Sequence, residues 1–127
     1  MFICHVALQG CLTLQDVPYG LTADTGGHIK YLLELANASA KDPHVHRIDL
    51  VTRGFVDSRL GEKFRPGESE RDDKVRLVRI ADGEEAYLPK EDLRHRHGDL
   101  CDAFIAYLRY RLKPEWQRIE MALDQQK

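Results

Sequence analysis

Two apolar, strand-like segments flanking one amphipathic helical segment, all within the first 52 residues, constrain this chain more than any other feature. Residues 2–10 are short, apolar and closed by Gly10, as expected of a strand covered on both faces in a parallel sheet. After a loop rich in turn residues (Asp16, Pro18, Gly20, Asp24, Gly26, Gly27), apolar side chains recur at Ile29, Leu32, Leu33, Ala36 and Ala40. That spacing puts them on one face of a helix. Asp42-Pro43 supplies a stop, and residues 47–52, with Ile48, Leu50 and Val51, read as a second strand. Strand, helix and strand in this order form a βαβ unit, whose right-handed crossover sets the two strands parallel in one sheet.

Residues 54–74 are polar and dense in charge, punctuated by Gly61, Pro66 and Gly67, with Phe55, Val56, Leu60 and Phe64 as apolar anchors. The stretch is longer than an ordinary connection and is expected to be a functional flap or a mobile surface loop. A third strand is predicted over 75–80 from Val75, Leu77, Val78 and Ile80. A second amphipathic helix is predicted from about 92 to 112, on Leu100, Ala103, Phe104, Tyr107 and Leu108. Pro114 breaks it, and Trp116, Ile119 and Leu123 predict a third, short helix over 115–126. The expected fold is α/β, a partial Rossmann-like, doubly wound parallel sheet of about three strands with flanking helices. Residues 1–127 are read as a single domain.

The charge balance, 19 Lys and Arg against 21 Asp and Glu for a net −2, creates no field that would draw in nucleic acid or anionic lipid. Cys4, Cys11 and Cys101 are an odd number at spacings that fit neither a disulfide framework nor a zinc knuckle, which points to a reducing compartment. The apolar start lacks the basic lead and the length of a secretory signal, and no segment approaches a membrane span. A cytoplasmic location is expected, without nucleic acid or membrane partners.

Asp24-Thr25-Gly26-Gly27 opens the first predicted helix, in the first βα loop of a parallel sheet. Ligands collect at the carboxyl ends of such strands, and amides at a helix N-terminus hold phosphate or a polarised sugar oxygen. The same pair of glycines is also an ordinary turn. A dinucleotide fingerprint would need a further glycine and an acid about twenty residues on; Asp49 stands near that place, but the glycine pattern is absent. His44/His46 and His95/His97 have a spacing at which imidazoles can share a metal, yet Arg47, Arg94 and Arg96 beside them disfavour a cation. No metal site is expected. Arg94-His95-Arg96-His97 reads as a solvated helix start, Cys101 as a small half-buried helix residue, and Asp72-Asp73 and Glu84-Glu85 as polar turns.

Leu8-Gln9-Gly10, the run from Asp24 through Tyr31 (DTGGHIKY) and Leu33-Glu34-Leu35-Ala36 resemble the start of sucrose phosphate synthases. The resemblance continues in order through VHRIDLVTR (45–53), Val78-Arg79-Ile80 with Gly83, and Tyr87-Leu88-Pro89-Lys90-Glu91. It runs from about residue 2 to 107. It implies the N-terminal, acceptor-side part of a retaining glycosyltransferase of the two-Rossmann-domain (GT-B) type, similar to sucrose phosphate synthase or sucrose synthase. Enzymes of that kind move glucose from a nucleotide sugar to fructose 6-phosphate without a metal ion or other cofactor. By the same resemblance Gly26, Gly27 and His28 line the cleft near the donor phosphates and the acceptor, and Lys90 meets the sugar phosphate's charge.

The departures carry information too. His28 stands where relatives usually have Gln, Ala86 where they often have Lys, and Arg94-His95 where they have Trp-Pro. Beyond Pro114 the expected catalytic loop and the nucleotide-binding domain find no counterpart, so no catalytic residue is assigned. The resemblance therefore predicts an incomplete GT-B N-terminal domain that is inactive alone. An unfinished sheet edge also leads us to expect a homodimer, or pairing with a separate C-terminal glycosyltransferase chain. The alternative is a stand-alone sugar-phosphate-binding module or non-catalytic subunit.

Overall fold

The computed structural model describes residues 1–67 and 69–110; the helix expected over 115–126, with Trp116, lies outside them. The chain runs β1 (Phe2–Val6), α1 (Gly27–Ala40), β2 (Arg47–Arg53), β3 (Ser69–Asp72), β4 (Val75–Ile80), α2 (Lys90–Leu93) and α3 (His97–Tyr110). The four strands form one sheet in the order β1-β2-β4-β3. β1, β2 and β4 are parallel, as the βαβ pattern requires, and β3 pairs antiparallel with β4.

Side chains alternate across the sheet, so the parallel strands β1, β2 and β4 each serve two cores. On one face Ile48 and Leu50 of β2 and Val75 and Leu77 of β4 meet Ile29 and Ala36 of α1, with Leu12 and Val45 closing the ends. On the other face Val51, Val78 and Ile80 meet Leu100 and Tyr107 of α3. Burial of each large apolar side chain contributes about 1.5–3 kcal/mol. Helices on both faces make the sheet doubly wound. The helix-spaced residues Ile29, Leu32, Leu33, Ala36 and Ala40 all pack on the sheet. α1 stops where Lys41 N–H and Asp42 N–H fall back on the carbonyls of Ala38 and Ser39, just before Pro43, which has no N–H to continue the helix.

Four expectations change. β1 ends at Val6 rather than Gly10 and is an edge strand: its residues are half-buried and Val6 is 49% exposed. Residues 54–74 do not form a bare loop. A 3-10 turn at Glu62–Phe64 and strand β3 organise them. Phe64 stacks on Phe55 with ring centroids 5.1 Å apart, and Gly67 N–H donates to Arg79 O at 2.9 Å. Gly54 lets the chain close on itself there, because a Cβ would lie 2.6 Å from Pro66 Cα. The predicted helix 92–112 is divided into α2, a 3-10 turn at Arg94–Arg96, and α3. At this turn the Arg96 guanidinium reaches Asp82, which also accepts from Arg53 at 3.0 Å, while Arg94, His95 and His97 are exposed, as a solvated helix start requires. Cys101 is exposed rather than half-buried.

Asp49 proves to be structural. Its buried carboxylate accepts from Arg47 (3.1 Å twice), from Arg76 (3.2 and 2.7 Å) and from the Tyr107 hydroxyl. Burial pushes its carboxyl up, but these donors outweigh burial and hold it below the usual carboxylate range. The Tyr107 hydroxyl is pushed far the other way, by burial and then by the hydrogen bond to Asp49.

Candidate functional site

The loop from β1 to α1 is tied down before it reaches the helix. Gly10 has φ +88°, and a Cβ there would lie 2.7 Å from Asp24 O, so the close approach of the two loop ends requires glycine. Thr25 is buried; its Oγ1 accepts the Cys11 N–H at 2.9 Å and meets Thr22 Oγ1 at 2.7 Å. Asp24 reaches out of this loop. Its Oδ2 accepts the Tyr87 hydroxyl at 2.8 Å and the Lys90 backbone N–H at 3.1 Å. The Tyr87 hydroxyl also lies 3.1 Å from Thr22 Oγ1, and its ring sits edge-on to Phe55 at 5.1 Å. Burial, followed by the Asp24 charge, pushes the Tyr87 hydroxyl up to about 12, so it stays a donor at any physiological pH.

Two segments 63 residues apart thereby become one unit, and a pocket of about 480 Å³ opens beside it. Its floor is Val6, the last residue of β1, with Ala7 to Gln9 just beyond the strand; its walls are His28, Tyr31 and Leu32 of α1 and Lys90 and Leu93 of α2. His28 and Lys90, both exposed, therefore face the same space. Gly26 and Gly27, the N-cap and first residue of α1, are not among the residues that line it; they directly precede His28, which is. Neither has positive φ, and a Cβ on either would touch nothing within 4 Å. No side chain caps α1. Its first amides have no partner within the helix, and with the Lys90 ammonium they offer N–H donors and positive charge to an anionic or polyhydroxyl ligand.

The other candidates lie elsewhere. His44 Nδ1 is 3.2 Å from Asp42, and His46 Nδ1 is 3.0 Å from the N-terminal amine. His97 lies 3.8 Å from Cys101 Sγ on α3. Among the described residues no group of three or more His, Cys, Asp or Glu is placed to hold a metal ion. Local pattern gave no sign of the Asp24–Tyr87–Lys90 connection, which is a long-range contact. The only available signal was that both of its ends fall in segments carrying the family resemblance.

Comparison with known proteins finds relatives along most of the chain. Sucrose-phosphate synthase 4 of Arabidopsis thaliana is 34% identical over 117 residues, covering 85% of this chain. Probable sucrose-phosphate synthase 5 of Oryza sativa subsp. japonica is 31% identical over 125 residues, again 85% of the chain. The chain is a relative of the sucrose-phosphate synthases. It spans 11–12% of the length of these two relatives. No family model matches it. Among solved structures, the sucrose-phosphate synthase of Thermosynechococcus elongatus superposes with a TM-score of 0.59 at 23% identity, over 86% of this chain and 24% of that one. That likeness is one of fold, and it agrees with the α/β architecture of the GT-B type expected from sequence.

Proposed function

We propose that residues 1–127 form one acceptor-side, Rossmann-like domain of a sucrose-phosphate-synthase-like glycosyltransferase, and that the pocket beside α1 receives a sugar phosphate. The observation that carries this reading is the Asp24 carboxylate. It joins the two segments of strongest resemblance so that His28, Lys90 and the uncapped start of α1 border one space at the carboxyl end of β1. In this reading Lys90 neutralises the phosphate and His28 offers ring nitrogens to sugar hydroxyls. The amides after Gly26 and Gly27 approach the acceptor or the phosphates of a nucleotide sugar. No described residue is assigned to bond cleavage, and the 127 residues are inactive as a transferase on their own.

The edge position of β1, with Val6 exposed, supports association with a second copy or with a separate chain carrying the rest of a transferase. Among the described residues no helix is long and apolar enough to cross a membrane; a cytoplasmic location is part of the same proposal. The test is a thermal-shift titration with fructose 6-phosphate, sucrose 6-phosphate and UDP-glucose, repeated on Gly27→Val and Lys90→Ala. Stabilisation by a sugar phosphate that both variants abolish is the expected result. No shift with any ligand in a folded protein overturns the acceptor reading and leaves a scaffold.

A further inference from the structure

Among the described residues, Tyr31 is an aromatic side chain that the fold does not use. Its ring is 69% exposed and belongs to neither face's core. Elsewhere rings pack on one another, Phe55 on Phe64 and Tyr87, and Phe104 on Tyr107. Tyr31 instead lines the pocket beside α1, one helical turn after His28 and therefore on the same face of the helix. Resting on the sugar-phosphate reading of that pocket, we propose that Tyr31 recognises the sugar ring. Its face stacks on the ring's C–H groups, and the pocket thereby selects a cyclic sugar phosphate over an acyclic phosphomonoester.

A phosphate would account for only part of the lining. His28 and Lys90 supply polar donors, but Val6, Leu8, Leu32 and Leu93 border the same space, and Val6 is 49% exposed. Phosphate oxygens call for N–H and O–H donors, whereas open apolar surface is stabilised only by removal from water. The volume of about 480 Å³ falls within the range of roughly 300–1,000 Å³ typical of sites for whole small molecules. The occupant that matches both halves of this lining has an anionic end and a compact body with apolar faces.

A sugar ring has that character, with hydroxyls around its rim and C–H groups on its faces. The face of a tyrosine ring is electron-rich and attracts the partly positive C–H groups, beyond what burial of area contributes. Tyrosine is also stiff, with two side-chain torsions, so it presents this surface at low entropic cost. A single exposed aromatic is ordinary on a protein surface. What sets Tyr31 apart is its place in one pocket with an imidazole, an ammonium and an apolar floor.

The test compares fructose 6-phosphate with glycerol 3-phosphate, which carries a phosphomonoester and hydroxyls without a ring. Both are titrated calorimetrically into the chain and into Tyr31→Ala, Tyr31→Phe and Lys90→Ala. Because Tyr31 is exposed and alanine favours a helix, Tyr31→Ala keeps the fold. It should weaken fructose 6-phosphate about threefold to tenfold and leave glycerol 3-phosphate within about twofold. Tyr31→Phe, which keeps the ring, should bind as the parent does, and Lys90→Ala should weaken both ligands. In proton spectra the fructose ring protons should move upfield on binding to the parent and to Tyr31→Phe, but not to Tyr31→Ala. Unchanged affinity for fructose 6-phosphate in Tyr31→Ala, or an equal loss for both ligands, overturns the proposal. Full affinity in Lys90→Ala refutes the phosphate's place in the pocket, while the Tyr31 variants still decide the ring contact. Binding of neither ligand to the folded parent refutes both.

Discussion

Replacing Asp24 by alanine should loosen the candidate site by an amount that can be worked from its contacts. Asp24 Oδ2 accepts two hydrogen bonds, from the Tyr87 hydroxyl at 2.8 Å and the Lys90 N–H at 3.1 Å. Bonds to a charged acceptor contribute about 1.5–3 kcal/mol each. Both are partly open to water, and Tyr87 keeps Thr22 as a partner at 3.1 Å. The low end therefore applies, about 2–3 kcal/mol in all. For a domain of this size each kcal/mol moves the melting temperature by roughly 3–5 °C, so Asp24→Ala should lower it by roughly 6–15 °C, read by circular dichroism at neutral pH. Tyr87→Phe removes one of the two bonds and should cost about 1 kcal/mol. The double variant should fall short of the sum of the singles by a similar amount, because the two residues share a bond. A melting temperature within about 1 °C of the parent for Asp24→Ala, or strict additivity with Tyr87→Phe, would refute the idea that this contact joins the two segments.

Three further outcomes follow from the same structure. Gly10→Ala adds a left-handed backbone penalty and a Cβ overlap with Asp24 O, and should destabilise by about 2–4 kcal/mol in urea unfolding; Gly27→Ala, where a Cβ meets nothing, should stay within about 1 kcal/mol. Asp49 and Asp82 both titrate below the ordinary aspartate value: burial opposes this, and hydrogen bonds from Arg47 and Arg76 at one, and from Arg53 at the other, prevail. A lowered folded value gives stability that is fully present above the ordinary pKa and lost as pH falls through the folded one. The melting temperature should therefore be flat from pH 7 to about 5 and fall steeply below about 4; a profile flat to about pH 2 contradicts both ion clusters. Ultraviolet titration should show one tyrosine ionising near 12, absent in Tyr87→Phe; a spectrum in which that variant removes a tyrosine of ordinary pKa contradicts the part-buried Asp24 bond.

What was legible in the sequence is what periodicity encodes. The parallel strands and α1 follow from apolar residues recurring at periods that burial imposes, and Ile29 through Ala40 pack where their spacing puts them. β3 was invisible because Ser69-Glu70-Arg71-Asp72 has no apolar face: an edge strand paired on one side need not bury one. The break between α2 and α3 escaped notice because it coincides with long-range contacts, Arg96 to the Asp82 carboxylate and carbonyl, that a helix-compatible pattern does not encode. For Asp49 the sequence excluded a dinucleotide role but did not show the structural one: the cations that satisfy it come from β2 itself and from β4, a pairing fixed only once the strands are in register. The Gly26-Gly27 turn was legible as a motif. Lys90, which lines the pocket with His28, was legible only through resemblance, since its position depends on the Asp24 carboxylate capturing a backbone amide 66 residues away.

The most direct test of the central claim is a ¹⁵N–¹H correlation spectrum of the chain titrated with fructose 6-phosphate. The account predicts saturable shifts at the amides of Gly27, His28 and Lys90 and at β1-end residues Ala7 to Gln9, all lost in Lys90→Ala. Shifts confined to the Arg71–Arg76 hairpin, or none up to saturating ligand, would contradict it.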